Sequence, residues 1–403
     1  MNETTAEPLR VLLCTDWWGA VNGVVASVTT LKRELIRAGH DVRVLTLADG
    51  RSSHHEGDLY GLGSMPASLV YESARFGTLR QDPIQQDILR WAPQVVHSHT
   101  EFTTYVWARR LVRELQVPWV HTYHTIYEDY THYYSPSLTV GKKVAATFSR
   151  RMLNRTDAVI APTLKVSRLL TGYRVTPPIR VVPTGLDLDL FRPARSADER
   201  ADVQALRKRL HIPEGDRVLV SVSRLAKEKN LEEVLKDFAA SRVEAITLVV
   251  VGDGPHRSKL QELAAALGIS RRVRFAGPVD HTEVPTYYRL GDVYVSASLS
   301  ETQGLTYIEA LACGLPLLCR RDPSLAGVVL DGVTGWQYDD SAGFDAALTR
   351  MLADPAQLGQ LSRAAATHAE RFSARAFGCS VLDVYASTQR RRHLRADRVL
   401  VAG

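Results

Sequence analysis

Two pairs of side chains could do chemistry together. Glu301 and Glu309, separated by seven residues, lie where a β-rich run over 292–298 gives way to a helical pattern. From Gly304, Leu305, Ile308, Leu311 and Ala312 fall on one face, and Cys313-Gly314-Leu315-Pro316 is the stop. Glu301 is thus expected in a strand-to-helix loop and Glu309 in the first turns of the helix. A helix N-terminus offers free N–H groups and a positive dipole end, which suits an anion. An ionised carboxylate accepts from two neighbouring hydroxyls, which suits a sugar or ribose. The same pair is also explained if Glu301 only caps the helix and Glu309 only faces solvent. The second pair, Arg224 and Lys229, flanks a loop between a strand over 217–221 and a helix over 231–240. Two cations before a helix N-terminus make a cradle for a diphosphate. Lys227 and Glu228, between them, fit a solvated charged loop.

Other strand ends carry further candidates. After the strand over 10–16, Asn22 and Gly23 open a helix, and Gly23 would let backbone N–H groups approach a phosphate or sugar; a plain turn is the alternative. Neither this loop nor Gly252-Asp253-Gly254-Pro255 has the Gly-x-Gly-x-x-Gly spacing, which disfavours nicotinamide or flavin. His97, His99, His121 and His124 lie at or beyond strand ends. Zinc would require a third ligand at matching spacing, so no metal is expected, and His124, furthest beyond its strand, is the candidate substrate contact. His97 and His99 are equally explained by burial. Over 138–155, Val140, Val144, Phe148 and Met152 recur on one face, while Lys142, Lys143, Arg150, Arg151 and Arg155 bring charge without an acid. Tyr127, Tyr130, His132, Tyr133 and Tyr134 precede them. A basic amphipathic helix with interfacial aromatics fits an anionic membrane surface; packing Val144 and Phe148 into the domain is the alternative.

The elements that must hold these residues alternate. Strand, helix and strand over 10–46 form a βαβ unit, and the pattern recurs to 183, lapses near Asp187 to Pro193, and restarts at 217. The expectation is α/β architecture with two doubly wound, Rossmann-like domains over 1–190 and 191–375, and a ligand cleft at the carboxyl ends of both sheets. A helix with a basic tail over 376–403 is expected to pack back on the first domain. The 403 residues suit two or three domains, and 45% apolar with 23% charged residues suit a soluble globular protein. Cys14, Cys313, Cys319 and Cys379 are scattered, which fits a reducing cytoplasm rather than a disulfide framework or zinc ribbon. Residues 1–8 lack signal-peptide features, and no apolar run approaches a membrane span. A net charge of +6 and a pI near 9.1 admit an anionic partner. The aromatics are not spaced as a stacking platform, so nucleic acid is not the expected one.

Arg224 with Lys229, and Glu301 with Glu309, resemble the signature of retaining family 4 glycosyltransferases of GT-B fold. Val21-Asn22-Gly23-Val24, the segment over 121–130, Ala161-Pro162-Thr163, Pro183-Thr184-Gly185 and the segment over 300–309 look like the bacterial diacylglycerol glucosyltransferase branch. Gln303 stands where many other branches carry Phe, and Trp17-Trp18-Gly19-Ala20 where relatives commonly have tyrosines and a proline. The resemblance implies that Arg224 and Lys229 bind the donor diphosphate and that Glu309 holds the ribose. It places Glu301 at the donor sugar hydroxyls near the anomeric centre and His124 at the sugar, at its 6-hydroxyl. Gly23, Asn22, Gly304 and Leu305 would complete the donor site. Lys142, Lys143, Phe148, Arg150 and Arg151 would face acceptor and membrane. The implied reaction moves glucose from UDP-glucose to a lipid acceptor such as diacylglycerol, by front-face attack without a protein nucleophile, metal or other cofactor. The enzyme would sit peripherally on the cytoplasmic face of the cell membrane. The alternatives are a GDP-mannose-dependent mannosyltransferase acting on a phosphoinositide or other lipid, and a GT-B sugar-nucleotide epimerase.

Overall fold

A computed structural model describes residues 7–19, 23–66, 75–128 and 137–401. The chain divides into two compact units, Met1–Gly185 with Ala374–Gly403, and Leu186–Ser373. In unit 1, β1 (Arg10–Cys14), α1 (Gly23–Arg37) and β2 (Asp41–Leu47) precede four short strands, β3 (His54–Glu56), β4 (Leu59–Leu62), β5 (Ser64–Pro66) and β6 (Arg75–Gly77). Then follow α2 (Pro83–Trp91), β7 (Val95–Ser98), α3 (Thr103–Leu115), β8 (Trp119–Thr122), α4 (Leu138–Leu153), β9 (Ala158–Ala161), α5 (Leu164–Gly172) and β10 (Ile179–Val181). The main sheet has the order β10-β9-β8-β7-β1-β2-β4-β3 and is parallel except for β3. Its central strands are buried on both faces, which is why they read as continuous apolar runs.

Unit 2 begins with α6 (Ala197–Arg209) and continues through β11 (Arg217–Val222), α7 (Leu231–Ala240), β12 (Ile246–Val251), α8 (Arg257–Ala266), β13 (Val273–Gly277) and α9 (Val284–Leu290). It ends with β14 (Val293–Ser296), α10 (Leu305–Ala312), β15 (Leu317–Arg320), β16 (Gly335–Tyr338), α11 (Ser341–Leu352) and α12 (Pro355–Ala369). Its six strands are all parallel, in the order β13-β12-β11-β14-β15-β16. The division falls at Gly185, ahead of Asp187 to Pro193, because Leu186 and Phe191 are already buried in unit 2's core.

The last helix, α13 (Ala374–Val401), belongs to unit 1. Phe377, Val381, Val384 and Tyr385 share a core with Val28, Leu31 and Leu35 of α1. Gly378 permits the approach, since a Cβ there would lie 2.8 Å from Glu34 Cβ. Arg392 donates to the carbonyls of Gln116 and Val117 and pairs with Asp157 at 2.9 Å.

The inward face of α4 is not its larger apolar stripe, which the sequence reading directs toward a membrane surface. Gly141, Ala145, Ser149 and Leu153 turn inward, and Ser149 meets the Tyr123 hydroxyl at 2.9 Å. Val140 and Val144 are exposed, at 56% and 54%, and Phe148 is half-buried with its edge toward Tyr127. The helix seats itself on small side chains that allow close packing, one position along from the larger apolar stripe. Val144 therefore does not pack into the domain. Tyr130, His132, Tyr133 and Tyr134 lie outside the described residues.

The burial of Phe377 yields a prediction. Phe377→Ala should cost unit 1 about 3–5 kcal/mol, seen as a lower urea midpoint by tryptophan fluorescence. Five of the six tryptophans (Trp17, Trp18, Trp91, Trp107 and Trp119) belong to unit 1, so this signal follows that unit. An unchanged midpoint would contradict the packing of α13.

Candidate functional site

In unit 2 the chain leaves β11 through Ser223, Arg224 and Leu225, makes one 3-10 turn at Lys227–Lys229, and enters α7 after Asn230 in the left-handed region. This loop leans on the next one. The Ser223 and Leu225 N–H groups donate to the carbonyls of Val251 and Asp253 at 3.1 and 2.9 Å, and His256 N–H donates to Leu225 at 2.9 Å. A Cβ at position 252 would lie 2.0 Å from Ser223 O, and one at 254 would lie 2.5 Å from Leu225 O. The glycines that fail as a dinucleotide fingerprint thus let two loops touch, and so position the exposed Arg224.

Lys229 reaches across to Glu301, Nζ to Oε1 at 2.6 Å, with both side chains mostly shielded. Ser300 Oγ donates to Glu228 O at 3.1 Å and Asn230 Nδ2 to Ala297 O at 3.3 Å, stitching the two loops together. Glu301 does not cap α10. The cap position is Gly304, at φ 73°, where a Cβ would lie 2.3 Å from the Tyr307 ring. Leu305 then opens the helix. Beneath the loop, Tyr294 donates to Thr306 at 2.9 Å and Tyr307 meets Ser296 at 2.9 Å.

Glu309 is not a solvent-facing residue either. It is half-buried, and Tyr288 of α9 donates to its Oε2 at 2.8 Å. Burial pushes its carboxyl up to about 7, with the Tyr288 hydroxyl pulling the other way. Sequence reasoning missed Tyr288. Its only signal was a tyrosine pair in a short helical pattern, which does not reveal a partner 21 residues away.

In unit 1, Gly23 is the exposed first residue of α1, and Asn22 lies outside the described residues. His97 is fully buried between the Tyr385 hydroxyl at 2.8 Å and Thr122 Oγ1 at 2.7 Å. His121 is buried between Ser98 Oγ at 2.8 Å and Glu101 at 3.2 Å. Glu101 also accepts from Tyr127 at 2.6 Å, so one acid holds both ends of the segment carrying His124. His124 is half-buried, and its Nε2 lies 3.1 Å from His99 Nδ1. Desolvation lowers His97 and His99 well below the ordinary histidine range and His124 to about 3, so all three are neutral near pH 7. Among the described residues, no group of three or more His, Cys, Asp or Glu could hold a metal ion. On α4, Lys142, Lys143 and Arg151 are exposed and Arg150 is half-buried.

Two doubly wound parallel units in one chain define a GT-B fold. The structure of Anabaena HepE in complex with UDP and glucose matches with a TM-score of 0.74, covering 94% of this chain and 100% of that one at 18% identity. The family model "Glycosyltransferase Family 4" matches residues 21–190, and "Glycosyl transferases group 1" matches residues 202–368. The "Alpha-monoglucosyldiacylglycerol synthase" of Streptococcus pneumoniae is 35% identical over 86% of this chain and 79% of its own length. That of Acholeplasma laidlawii is 29% identical over 91% and 93%. The chain belongs to the family 4 glycosyltransferases, and it is a hexosyltransferase.

The raised Glu309 carboxyl has a consequence for stability. Between about pH 4.5 and 7 the folded chain holds a proton at Glu309 that the unfolded chain has lost. Stability from this group is therefore lost as pH rises through that window, and the penalty is complete above it. Glu309→Gln removes the penalty. The melting temperature of the variant should gain on that of the wild type from pH 5 to pH 7.5, by scanning fluorimetry. A difference that stays constant with pH would refute the buried-carboxyl account.

Proposed function

We propose that the chain transfers glucose from UDP-glucose to diacylglycerol with retention, at the inner face of the cell membrane. The observation that carries this reading is the 35% identity to a relative named for that glycolipid product. In this reading Arg224 and Lys229 meet the donor diphosphate and stabilise the leaving nucleotide as charge develops on it. Glu309 accepts from the ribose hydroxyls. Glu301 faces the transferred sugar and His124 contacts one of its hydroxyls. Gly304 and Leu305, where α10 begins, border the donor's place in unit 2, and Gly23, where α1 begins, is a further donor contact in this reading. Two cations at the diphosphate do the electrostatic work a divalent ion would do, so the reaction needs no metal.

The outward stripe of α4 supports the lipid side of the proposal. Exposed Val140 and Val144 beside Lys142, Lys143 and Arg151 give an apolar strip edged with cations, which suits the interface of an anionic bilayer. Among the described residues no helix is long and apolar enough to cross a membrane.

A donor-by-acceptor screen tests the reading, with UDP-glucose and GDP-mannose offered against diacylglycerol, phosphoinositide and no acceptor. The expected product is an α-glucosyl lipid by NMR, formed undiminished in EDTA; mannosyl transfer or free epimerised nucleotide sugar would overturn it. Arg224→Ala should lower kcat by about 10²–10³. In flotation with anionic liposomes the wild type should rise with the vesicles. Charge reversal at Lys142, Lys143, Arg150 and Arg151 should leave it at the bottom, and a wild type that never floats would remove the membrane from the reading.

A further inference from the structure

His99 has a property that the proposed reaction does not use. It follows β7, its N–H donates to Cys14 O at 2.8 Å, and its side chain is 1% exposed. One ring nitrogen, Nδ1, lies 3.1 Å from His124 Nε2, and the rings stack with centroids 5.4 Å apart. The other, Nε2, is buried with no hydrogen-bond partner among the described residues. His97 packs against it, its ring centroid 4.1 Å away, and is itself held by Tyr385 and Thr122.

Two neutral imidazoles in this contact share one proton between the facing nitrogens, and the choice fixes both tautomers. If His124 Nε2 carried it, His99 would bury an N–H on its orphaned Nε2. If His99 Nδ1 carries it, the orphan is a bare ring nitrogen. Buried polar groups left unpaired are more often acceptors than N–H donors, which favours the second arrangement. His124 then has its own proton on Nδ1. That nitrogen has no hydrogen-bond partner among the described residues, and it belongs to a half-buried ring.

We infer that His99 is a positioning residue that fixes His124 as an Nδ1–H donor, turned toward a hydroxyl of the transferred sugar. The inference rests on the reading of His124 as a sugar contact. Glu101, holding His121 and Tyr127, sets the height of the segment, and His99 sets the polarity of the ring it presents.

The test joins a spectroscopic measurement to kinetics on the full chain. Long-range proton–nitrogen correlation spectra should show His124 protonated at Nδ1 and bare at Nε2. His99→Phe keeps the packing and removes the hydrogen bond. It should mix the His124 tautomers and lower kcat/KM for the sugar donor about tenfold, the worth of one hydrogen bond. His99→Asn, whose amide N–H can take the place of Nδ1–H, should restore both. A wild-type His124 protonated at Nε2 would overturn the inference. So would unchanged kinetics in His99→Phe when His124→Ala loses activity. If His124→Ala transfers sugar at the wild-type rate, the reading of His124 itself fails, and the inference falls with it.

Discussion

A parallel strand cannot return to its neighbour by a tight turn, and this constraint governs the chemistry of the chain. Most strands cross back through a helix, so the strand-to-helix loops of a sheet open on the same edge. Arg224, Lys229 and Glu301 leave the adjacent strands β11 and β14 at that edge, and His99 and His124 leave the adjacent strands β7 and β8. Residues far apart in sequence thereby become neighbours: Lys229 and Glu301 are separated by 72 positions and joined by 2.6 Å. The sheets supply the rigidity. Their central strands are buried on both faces, so the loops start from fixed points.

At that edge the two units solve different electrostatic problems. Unit 2 keeps charges in place: Lys229 and Glu301 neutralise each other, so neither is left uncompensated in a partly shielded loop. An incoming diphosphate would have to compete for the same ammonium. Unit 1 instead removes charge. Desolvation keeps His97, His99 and His124 neutral, and their contacts are hydrogen bonds to hydroxyls and to one another. A neutral ring can donate at one nitrogen and accept at the other, whereas an imidazolium only donates.

What the sequence disclosed follows from how far each signal reaches along the chain. Periodicity is local, so the central strands and most of their crossover helices were legible. The short strands β3 to β6 were not, because three-residue segments such as the fully exposed His54–Glu56 carry no pattern. The residues that seat α4, Gly141, Ala145 and Ser149, were not legible, because small side chains pack without standing out as an apolar stripe. Glu301 and Glu309 were recognisable as a spaced pair. Their partners were not equally so: Lys229 came from a loop with a pattern of its own, while Tyr288 lies in α9, which gave no chemical hint. Glu101 was passed over for a related reason. A carboxylate that ties two parts of a loop together is defined by what it touches.

The return of α13 to unit 1 has a consequence in time. Synthesis runs from the N-terminus, and domains generally fold as units as they emerge. Unit 1's sheet is complete at β10, but Phe377, Val381, Val384 and Tyr385 reach its core only after all of Leu186–Ser373 has been made. At roughly 5–20 residues per second, that interval is about ten to forty seconds. For that time α1 presents Val28, Leu31 and Leu35 without their cover, and His97 lacks the Tyr385 hydroxyl. The nascent chain thus carries for that interval an apolar strip of its own making, which α13 later covers.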